Sequence, residues 1–126
     1  MLKYALITGL GGFIGSALRY SMQRLSTLIF PISFPYGTFI VNLIGALLIG
    51  ILFAISEQTT ILGPQWRIFA ITGVLGGFTT FSSFTLDTMN LLRESQYLYA
   101  FTYVSLTVFL GIAITIVGYL MMKNLL

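Results

Sequence analysis

Four long and mostly apolar stretches dominate the sequence and decide which solvent the chain folds in. They cover approximately residues 2–23, 34–55, 66–92 and 97–122, and short connectors separate them. A helix needs about 20 mostly apolar residues to cross a bilayer. The apolar runs are continuous rather than alternating, which favours helices over a membrane barrel. The sequence therefore predicts an all-α membrane protein, with residues 1–126 forming a single domain of four transmembrane helices in the lipid bilayer.

The scarcity of charged residues excludes most classes of soluble protein. Only 7% of the 126 residues are charged, whereas ordinary soluble domains carry about 25%. A soluble enzyme and a nucleic-acid-binding domain are both excluded on this ground, so nucleic acid is not expected as a partner. The chain has no Cys and no His, which removes the thiol nucleophile and the usual general base. We therefore do not expect an enzyme.

The basic residues give no preferred orientation in the membrane. If all four stretches span, three basic residues fall on one side and three on the other. The first side has Lys3, Arg67 and Lys123, and the second has Arg19, Arg24 and Arg93. The Lys/Arg bias of short loops sets orientation, so a balanced count predicts insertion both ways round and an antiparallel (dual-topology) homodimer. The alternative is that other signals fix one orientation.

The first stretch combines small residues with one charge. Gly11 and Gly15 are four residues apart, a spacing that lets membrane helices approach closely. The surrounding glycines resemble a dinucleotide-binding fingerprint, but that motif needs a preceding strand, so we interpret them as packing positions. Arg19 follows near the end of the stretch. It is either a snorkelling side chain or the positive vestibule of an anion pathway.

The third stretch has poor content for an unbroken membrane helix. Residues 73–86 contain three glycines and five hydroxyl residues, and each glycine costs about 1 kcal/mol relative to alanine in a helix interior. We therefore predict a mid-membrane break between Gly76 and Thr80. Carbonyl groups freed at such breaks commonly hold a cation, and two breaks facing each other in an antiparallel dimer suit Na⁺. The alternative is a kink stabilised by Ser and Thr hydroxyls, without an ion.

Three uncharged side chains are candidates for contact with an anion. Asn42 lies in the middle of the second stretch, where its amide either joins helices or lines a pore and donates hydrogen bonds. Phe81 and Phe84 are three residues apart and share a helix face. Such a pair usually packs against lipid or protein, but the ring edge is positive and can meet an anion.

A polar stripe follows one face of the fourth stretch at steps of four residues. Its members are Tyr103, Thr107, Gly111 and Thr115. The hydroxyl groups can donate hydrogen bonds in succession to a moving anion. Ser83 and Asp87 in the third stretch are also four residues apart. Asp87 is either part of this functional face or a solvated residue near a helix end.

On these residues the chain resembles the Fluc (CrcB) family of fluoride channels over nearly its whole length. The most specific marker is the run Gly76-Gly77-Phe78-Thr79-Thr80-Phe81-Ser82-Ser83-Phe84. Further markers are Gly11-Gly12 and Arg19-Tyr20 in the first stretch, and Gly37-Thr38, Asn42 and Gly45 in the second. The resemblance implies a fluoride-selective channel of the bacterial plasma (inner) membrane. It would let fluoride leave the cytoplasm passively, through two pores per antiparallel dimer.

The resemblance also implies roles for individual residues. Phe81 and Phe84 would form an aromatic box, and Asn42 would line the pore. The backbone carbonyl groups of Gly76 and Thr79 from both subunits would hold a structural Na⁺ at the dimer centre.

A polar track is the third implied feature. Its residues would be Ser83, Asp87, Tyr103, Thr107 and Thr115. The chain departs from the family pattern in two places, because Gly111 replaces a hydroxyl residue and Asp87 stands where a longer acid is common.

Two other classes of membrane protein remain as alternatives. A small multidrug transporter is also a four-span dimer, but its proton exchange needs a carboxylate, typically in the first helix. Residues 2–23 contain no acidic residue. A noncatalytic membrane assembly subunit would account for the glycines but not for the polar stripe.

Overall fold

The chain is entirely helical in the computed structural model, which describes residues 1–126 and contains no strand. Helices α1 and α2 are Leu2–Ile29 and Tyr36–Gln58. The third segment contains, in order, α3 (Pro64–Arg67), the π-helical stretch Ile68–Leu75, α4 (Gly76–Phe78) and α5 (Phe81–Arg93). The fourth segment contains α6 (Tyr97–Ser105), the π-helical stretch Leu106–Leu110 and α7 (Gly111–Leu125).

Three helical segments are long and apolar enough to cross a membrane. They are Tyr36–Gln58, Pro64–Arg93 and Tyr97–Leu125. α1 has 28 residues, but it is not among the three, and it contains Lys3, Arg19 and Arg24. The structure therefore supports a multi-pass membrane protein, and the span predicted at residues 2–23 stays a prediction.

Glycines bring the backbones of two helix pairs into contact. α1 packs on Ile68–Leu75 and α4, and α2 packs on α7. A Cβ atom added to Gly11 would lie 2.5 Å from the Phe69 carbonyl oxygen, and one added to Gly15 would collide with the Val74 carbonyl oxygen. In the second pair, a Cβ atom at Gly50 would collide with the carbonyl oxygen of Thr115. The packing role predicted for the α1 glycines is confirmed at Gly11 and Gly15 but is wrong for Gly9, where an added Cβ atom would meet nothing within 4 Å.

The buried core is small, and most large apolar side chains face outward. Only 16 of 126 residues are buried, so a single chain leaves far more apolar surface open than a soluble monomer tolerates. The main cluster consists of Phe84, Leu91, Ala100 and Tyr103, with Phe34 and Phe39 against it. This cluster joins α5 to α6 and lies next to the break described below. The exposed apolar surface requires lipid or another protein to cover it.

A tight turn joins the third and fourth segments. Ser95 adopts a left-handed conformation with φ 60°. The Gln96 N–H donates to the Leu91 carbonyl oxygen (2.8 Å), and the Ser95 N–H donates to that of Leu92 (3.0 Å). These paired bonds are those of a Schellman motif. They end α5 cleanly and allow α6 to begin at Tyr97.

Candidate functional site

The third segment is interrupted at two threonines. α4 ends at Phe78, and both Thr79 (φ −85°, ψ 160°) and Thr80 (φ −153°, ψ 123°) are extended before α5 begins at Phe81. The break therefore lies within the predicted range of Gly76 to Thr80 and at its C-terminal end. Gly76 and Gly77 remain helical, so the hydroxyl residues, not the glycines, adopt the non-helical conformation.

The side chain of Asn42 holds the break from the neighbouring helix α2. Its Oδ1 accepts a hydrogen bond from the Thr80 N–H (2.9 Å), and its Nδ2 donates to the Thr80 carbonyl oxygen (3.1 Å). A break at membrane depth frees backbone groups that water does not reach, and each free group is costly. The side-chain amide of Asn42 forms hydrogen bonds with both backbone groups of Thr80, the N–H and the carbonyl group. Asn42 thus joins helices, and its second Nδ2 hydrogen remains available for another acceptor.

Thr79 and Thr80 supply hydrogen-bond partners to the helix ends on either side of the break. The N–H and the hydroxyl of Thr79 both donate to the Leu75 carbonyl oxygen, each at 2.9 Å. The Thr80 hydroxyl accepts from the Ser83 N–H at 3.1 Å and so caps α5, an arrangement favoured for threonine. The alternative to an ion site was a kink stabilised by Ser and Thr hydroxyls. The hydroxyl hydrogen bonds of that alternative are present.

Carbonyl groups at the break divide into paired and unpaired ones. Arg19 Nε donates to the Gly77 carbonyl oxygen at 3.1 Å, so this guanidinium lies against the C-terminal end of α4, where the helix dipole favours a positive charge. The carbonyl oxygen of Thr79, which lies outside the helices, accepts no hydrogen bond from a backbone group. Gly76 lies exposed on the surface of the single chain. The Thr79 oxygen is therefore available to an external partner.

Phe81 and Phe84 lie together directly after the break. Their ring centroids are 5.7 Å apart with a tilt of 56°. The two rings have different surroundings, because Phe81 is 75% exposed and Phe84 only 8%. Phe84 packs against the Tyr103 ring at 5.1 Å. The aromatic pair therefore has one fixed ring and one ring open to the surface.

One groove of about 540 Å³ brings most of the predicted site residues together. It runs between α2, the break and the fourth segment. Seven of its lining residues were predicted from the sequence as site residues: Asn42, Gly76, Thr79, Phe81, Phe84, Thr107 and Thr115. Gly111 also lines it. The wall is mixed, with amide and hydroxyl groups among aliphatic and aromatic side chains, and it contains no charged residue.

The hydroxyl groups of the predicted polar stripe have different partners. Tyr103 is fully buried, and its hydroxyl donates to Asp87 Oδ2 at 3.2 Å. Thr115 donates to the Ala46 carbonyl oxygen of α2 (2.9 Å) and to that of Gly111 (3.1 Å). Thr107 Oγ1 is buried and has no hydrogen-bond partner. Of the stripe's hydroxyls, only that of Thr107 is left unpaired.

A second cavity, of about 530 Å³, contains the rest of the third-segment candidates. Ser83 and Asp87 line it together with Gln23, Thr38 and Arg93. Its wall is mainly polar, in contrast to that of the groove. The Phe84–Tyr103 pair belongs to the core cluster near both spaces. Arg19 and Tyr103 line neither space.

Sequence reasoning gave no role to the polar pair Gln23 and Thr38. Gln23 Nε2 donates to Thr38 Oγ1 at 3.1 Å, and Thr38 is 5% exposed. The pair joins α1 to α2 beside the second cavity. Gly37 allows this approach, because a Cβ atom there would lie 2.6 Å from Ser26 Oγ. The sequence signal for this contact was Thr38, a polar residue that follows Gly37 within an apolar stretch.

Known proteins resemble this chain over nearly its full length. A family model described as "CrcB-like protein, Camphor Resistance (CrcB)" matches residues 6–119. A protein of Flavobacterium psychrophilum named "Fluoride-specific ion channel FluC" is 41% identical, and the match covers 98% of this chain and 100% of that protein. A Helicobacter pylori protein of the same name is 48% identical over 91% of this chain and 89% of its own length. A Clostridium novyi protein of that name is 40% identical over 90% and 89%. With a family match across residues 6–119 and relatives of this similarity, the chain belongs to the CrcB family.

Proposed function

We propose that this protein is a fluoride-selective channel, not an enzyme, that lets fluoride leave the cytoplasm passively. The observation that carries the proposal is the uncharged groove beside the helix break, in which an amide, two phenyl rings and hydroxyl groups meet. The names of the relatives, "Fluoride-specific ion channel FluC", support fluoride as the anion. Passive exit through such a channel would lower the toxicity of fluoride.

The chemistry of the groove suits a small and strongly hydrated anion. Its hydration shell has to be replaced by several donors, but a fixed charge at the narrow point would hold the ion too long. Asn42 has one Nδ2 hydrogen without a partner, and the edges of the Phe81 and Phe84 rings are positive. The Thr107 hydroxyl has no partner either, but it is inaccessible in the single chain. These contacts are uncharged, so each binds the anion weakly enough to release it.

The exposed side of the groove supports a homodimer. Phe81 is 75% exposed and Gly76 is exposed as well, although both lie at the break. We infer that all four stretches span the bilayer and that a second copy, inserted the opposite way round, covers this face. The balanced basic residues agree with dual orientation. Each dimer would then have two pores, one for each groove.

A structural Na⁺ at the centre of this dimer would be held by the carbonyl groups of Gly76 and Thr79. The Thr79 oxygen accepts no backbone hydrogen bond, Gly76 is exposed on the same side of the break, and uncharged oxygen ligands suit hard cations. Each subunit would contribute the same two oxygens. The ion would supply a fixed positive charge where the two breaks meet.

The remaining candidates flank the groove. Ser83 and Asp87 would extend the polar track into the second cavity, with Tyr103 linked to Asp87. Thr115 would bound the far end of the groove. Arg19, whose guanidinium already holds the Gly77 carbonyl group, would add positive potential near the break. We expect this arrangement in the bacterial plasma (inner) membrane.

Fluoride efflux from liposomes containing the purified protein tests the function. We expect fluoride to leave while chloride, measured in parallel, is retained. Phe81→Ile should abolish the efflux while the dimer persists, because a ring that is 75% exposed contributes little to the fold of the chain and isoleucine still offers an apolar side chain to the partner copy. A folded dimer without fluoride efflux would contradict the proposal and favour an assembly subunit. Equal fluoride and chloride efflux would contradict selectivity.

A further inference from the structure

The position of the Phe84 ring depends on a second ring. Tyr103 packs against it, with ring centroids 5.1 Å apart and an interplanar angle of 65°. The Tyr103 side chain is fully buried, so its own position depends on the side chains around it. Two further rings contact it: Phe34, with centroids 5.5 Å apart, and Phe39, with centroids 6.4 Å apart. The support of the Phe84 ring therefore extends beyond the wall of the groove.

Phe34 is the only one of these rings that lies outside the helices. It belongs to the connector between α1 and α2 and is half-buried. At centroid distances of 4.9–6.1 Å, its ring contacts those of Tyr36, Phe39, Tyr99 and Tyr103. In the last three pairs the ring planes are tilted by 82–84°, the edge-to-face arrangement that aromatic pairs favour. Phe34 thus joins the connector to both α2 and α6.

The backbone of the connector fixes Phe34 on the start of α2. The Tyr36 N–H donates to the Phe34 carbonyl oxygen at 2.8 Å, and Pro35 between them has φ −79° and ψ 66°. These angles are those of an inverse γ-turn, and the proline ring restricts φ to this region before the chain folds. The Pro35 carbonyl oxygen then accepts from the Phe39 N–H at 3.1 Å, within the first turn of α2. The Phe34 ring therefore meets Tyr103 from a turn that hydrogen bonds hold in place.

Phe34 and Phe84 are linked through Tyr103. The two rings do not pair directly, and each packs edge-to-face against the Tyr103 ring, at 5.5 and 5.1 Å. Side chains in a close-packed interior leave little free volume, so a displacement passes from one to the next. Removing the Phe34 ring would open space beside Tyr103, and the neighbours of such a space relax partly into it. Phe84 would then lose part of the fixed surface against which its ring packs.

We propose that Phe34 is a positioning residue for the aromatic pair at the break: acting through Tyr103, its ring fixes the place of Phe84 in the wall of the groove. Phe84 lines the groove, whereas Phe34 lines only the second cavity. Phe34 therefore does not contact an anion in the groove, and it affects one only through the ring that it holds in place. The consequence for conduction rests on the proposed channel function, but the positioning of Phe84 does not.

A fluorine label on Phe84 tests the positioning without relying on transport. Para-fluorophenylalanine is incorporated at this position, and its fluorine NMR signal is recorded in detergent without added fluoride. We expect Phe34→Leu to shift the signal, because the label then lies differently in the magnetic field of the Tyr103 ring. Phe34→Tyr keeps the ring and should retain the native signal. Phe30→Leu is the matched control, because Phe30 lies in the same connector and stacks on Tyr36 at 4.9 Å but makes no ring contact with Tyr103. An unmoved signal in Phe34→Leu, or an equal shift in Phe30→Leu, would overturn the proposal.

Fluoride efflux from liposomes then tests the consequence for conduction. We expect Phe34→Leu to slow efflux about two- to tenfold, the change in rate that corresponds to the loss of one aromatic pair. Phe34→Tyr and Phe30→Leu should conduct like the native protein. A shifted label signal with native efflux in Phe34→Leu would overturn the role in conduction. If Phe34→Leu does not fold, Phe34→Met replaces it in both experiments, because methionine fills more of the space without a ring. If the native protein itself shows no efflux, the channel proposal fails, while the label signal still decides whether Phe34 positions Phe84.

Discussion

Replacing Asn42 by leucine removes both hydrogen bonds that hold Thr80, and we expect the variant to lose stability and fluoride efflux together. The Thr80 N–H and carbonyl group lose partners at 2.9 and 3.1 Å. Neither group has another partner outside this amide. The shape of the side chain is nearly preserved, so the loss reports on hydrogen bonding rather than on packing.

The size of the effect follows from these two bonds. An unpaired buried polar group costs about 1–3 kcal/mol in proteins generally, but hydrogen bonds between membrane helices average nearer 0.6 kcal/mol and reach about 1.7. For two bonds at a half-buried site we expect a loss of about 1–3 kcal/mol in the free energy of unfolding. Asn42→Asp should lose at least as much stability, because the ionised carboxylate still accepts from the Thr80 N–H but sets an oxygen against the Thr80 carbonyl oxygen, to which Nδ2 donated at 3.1 Å. Its negative charge should also slow fluoride efflux sharply, because it repels the anion.

Reversible unfolding in mixed micelles and liposome efflux together measure this prediction. Asn124→Leu and Asn124→Asp are the matched controls, since Asn124 is exposed near the end of α7 and makes no side-chain hydrogen bond. Both controls should behave like the native protein. A stability within about 0.5 kcal/mol of native in Asn42→Leu, which is the ordinary range for surface substitutions, would refute the role of the amide in holding the break. Native efflux in Asn42→Asp would refute its place in the pore.

Three further substitutions test other parts of the structure. Phe81→Ile should leave the unfolding temperature nearly unchanged but abolish fluoride efflux; a native rate would exclude the ring from the anion path. Gly50→Ala should destabilise the chain by about 1–3 kcal/mol, the range for overpacked sites, because its Cβ atom meets the backbone of α7. Gly9→Ala should not destabilise it, and equal unfolding temperatures for the two variants would contradict the backbone contact at Gly50. Tyr103→Phe should cost about 1 kcal/mol by leaving Asp87 without its donor, and an unchanged unfolding temperature would show that solvent replaces the phenol.

The sequence predicts the broken third helix because local composition decides it. Three glycines and five hydroxyl residues in residues 73–86 weaken a helix whatever surrounds it. The structure has the break at Thr79 and Thr80, whereas the three glycines remain helical. Helix ends are less predictable from apolar content. α1 continues to Ile29 rather than ending near Gln23, because polar residues continue a helix as readily as apolar ones once it has begun.

Contacts between segments could not be predicted from spacing. The pairing of Asn42 with Thr80 joins residues 38 positions apart, and that of Tyr103 with Asp87 depends on how α6 packs on α5. The π-helical stretch Leu106–Leu110 also depends on packing, since its composition is ordinary for a helix. The sequence identifies Thr107 as a polar candidate, but only the structure shows that its hydroxyl is unpaired.

The backbone contact between α1 and the first half of the third segment has a consequence for genetics. α1 contributes no residue to the groove, yet its Gly15 lies against Val74 and Phe78 immediately before the break. Any side chain there pushes on the half-helix whose end shapes the groove. A selection for fluoride-sensitive bacteria should therefore recover substitutions at Gly11 and Gly15 nearly as often as at the groove itself. Substitutions at positions that contact no ion would then give the same phenotype as substitutions in the groove.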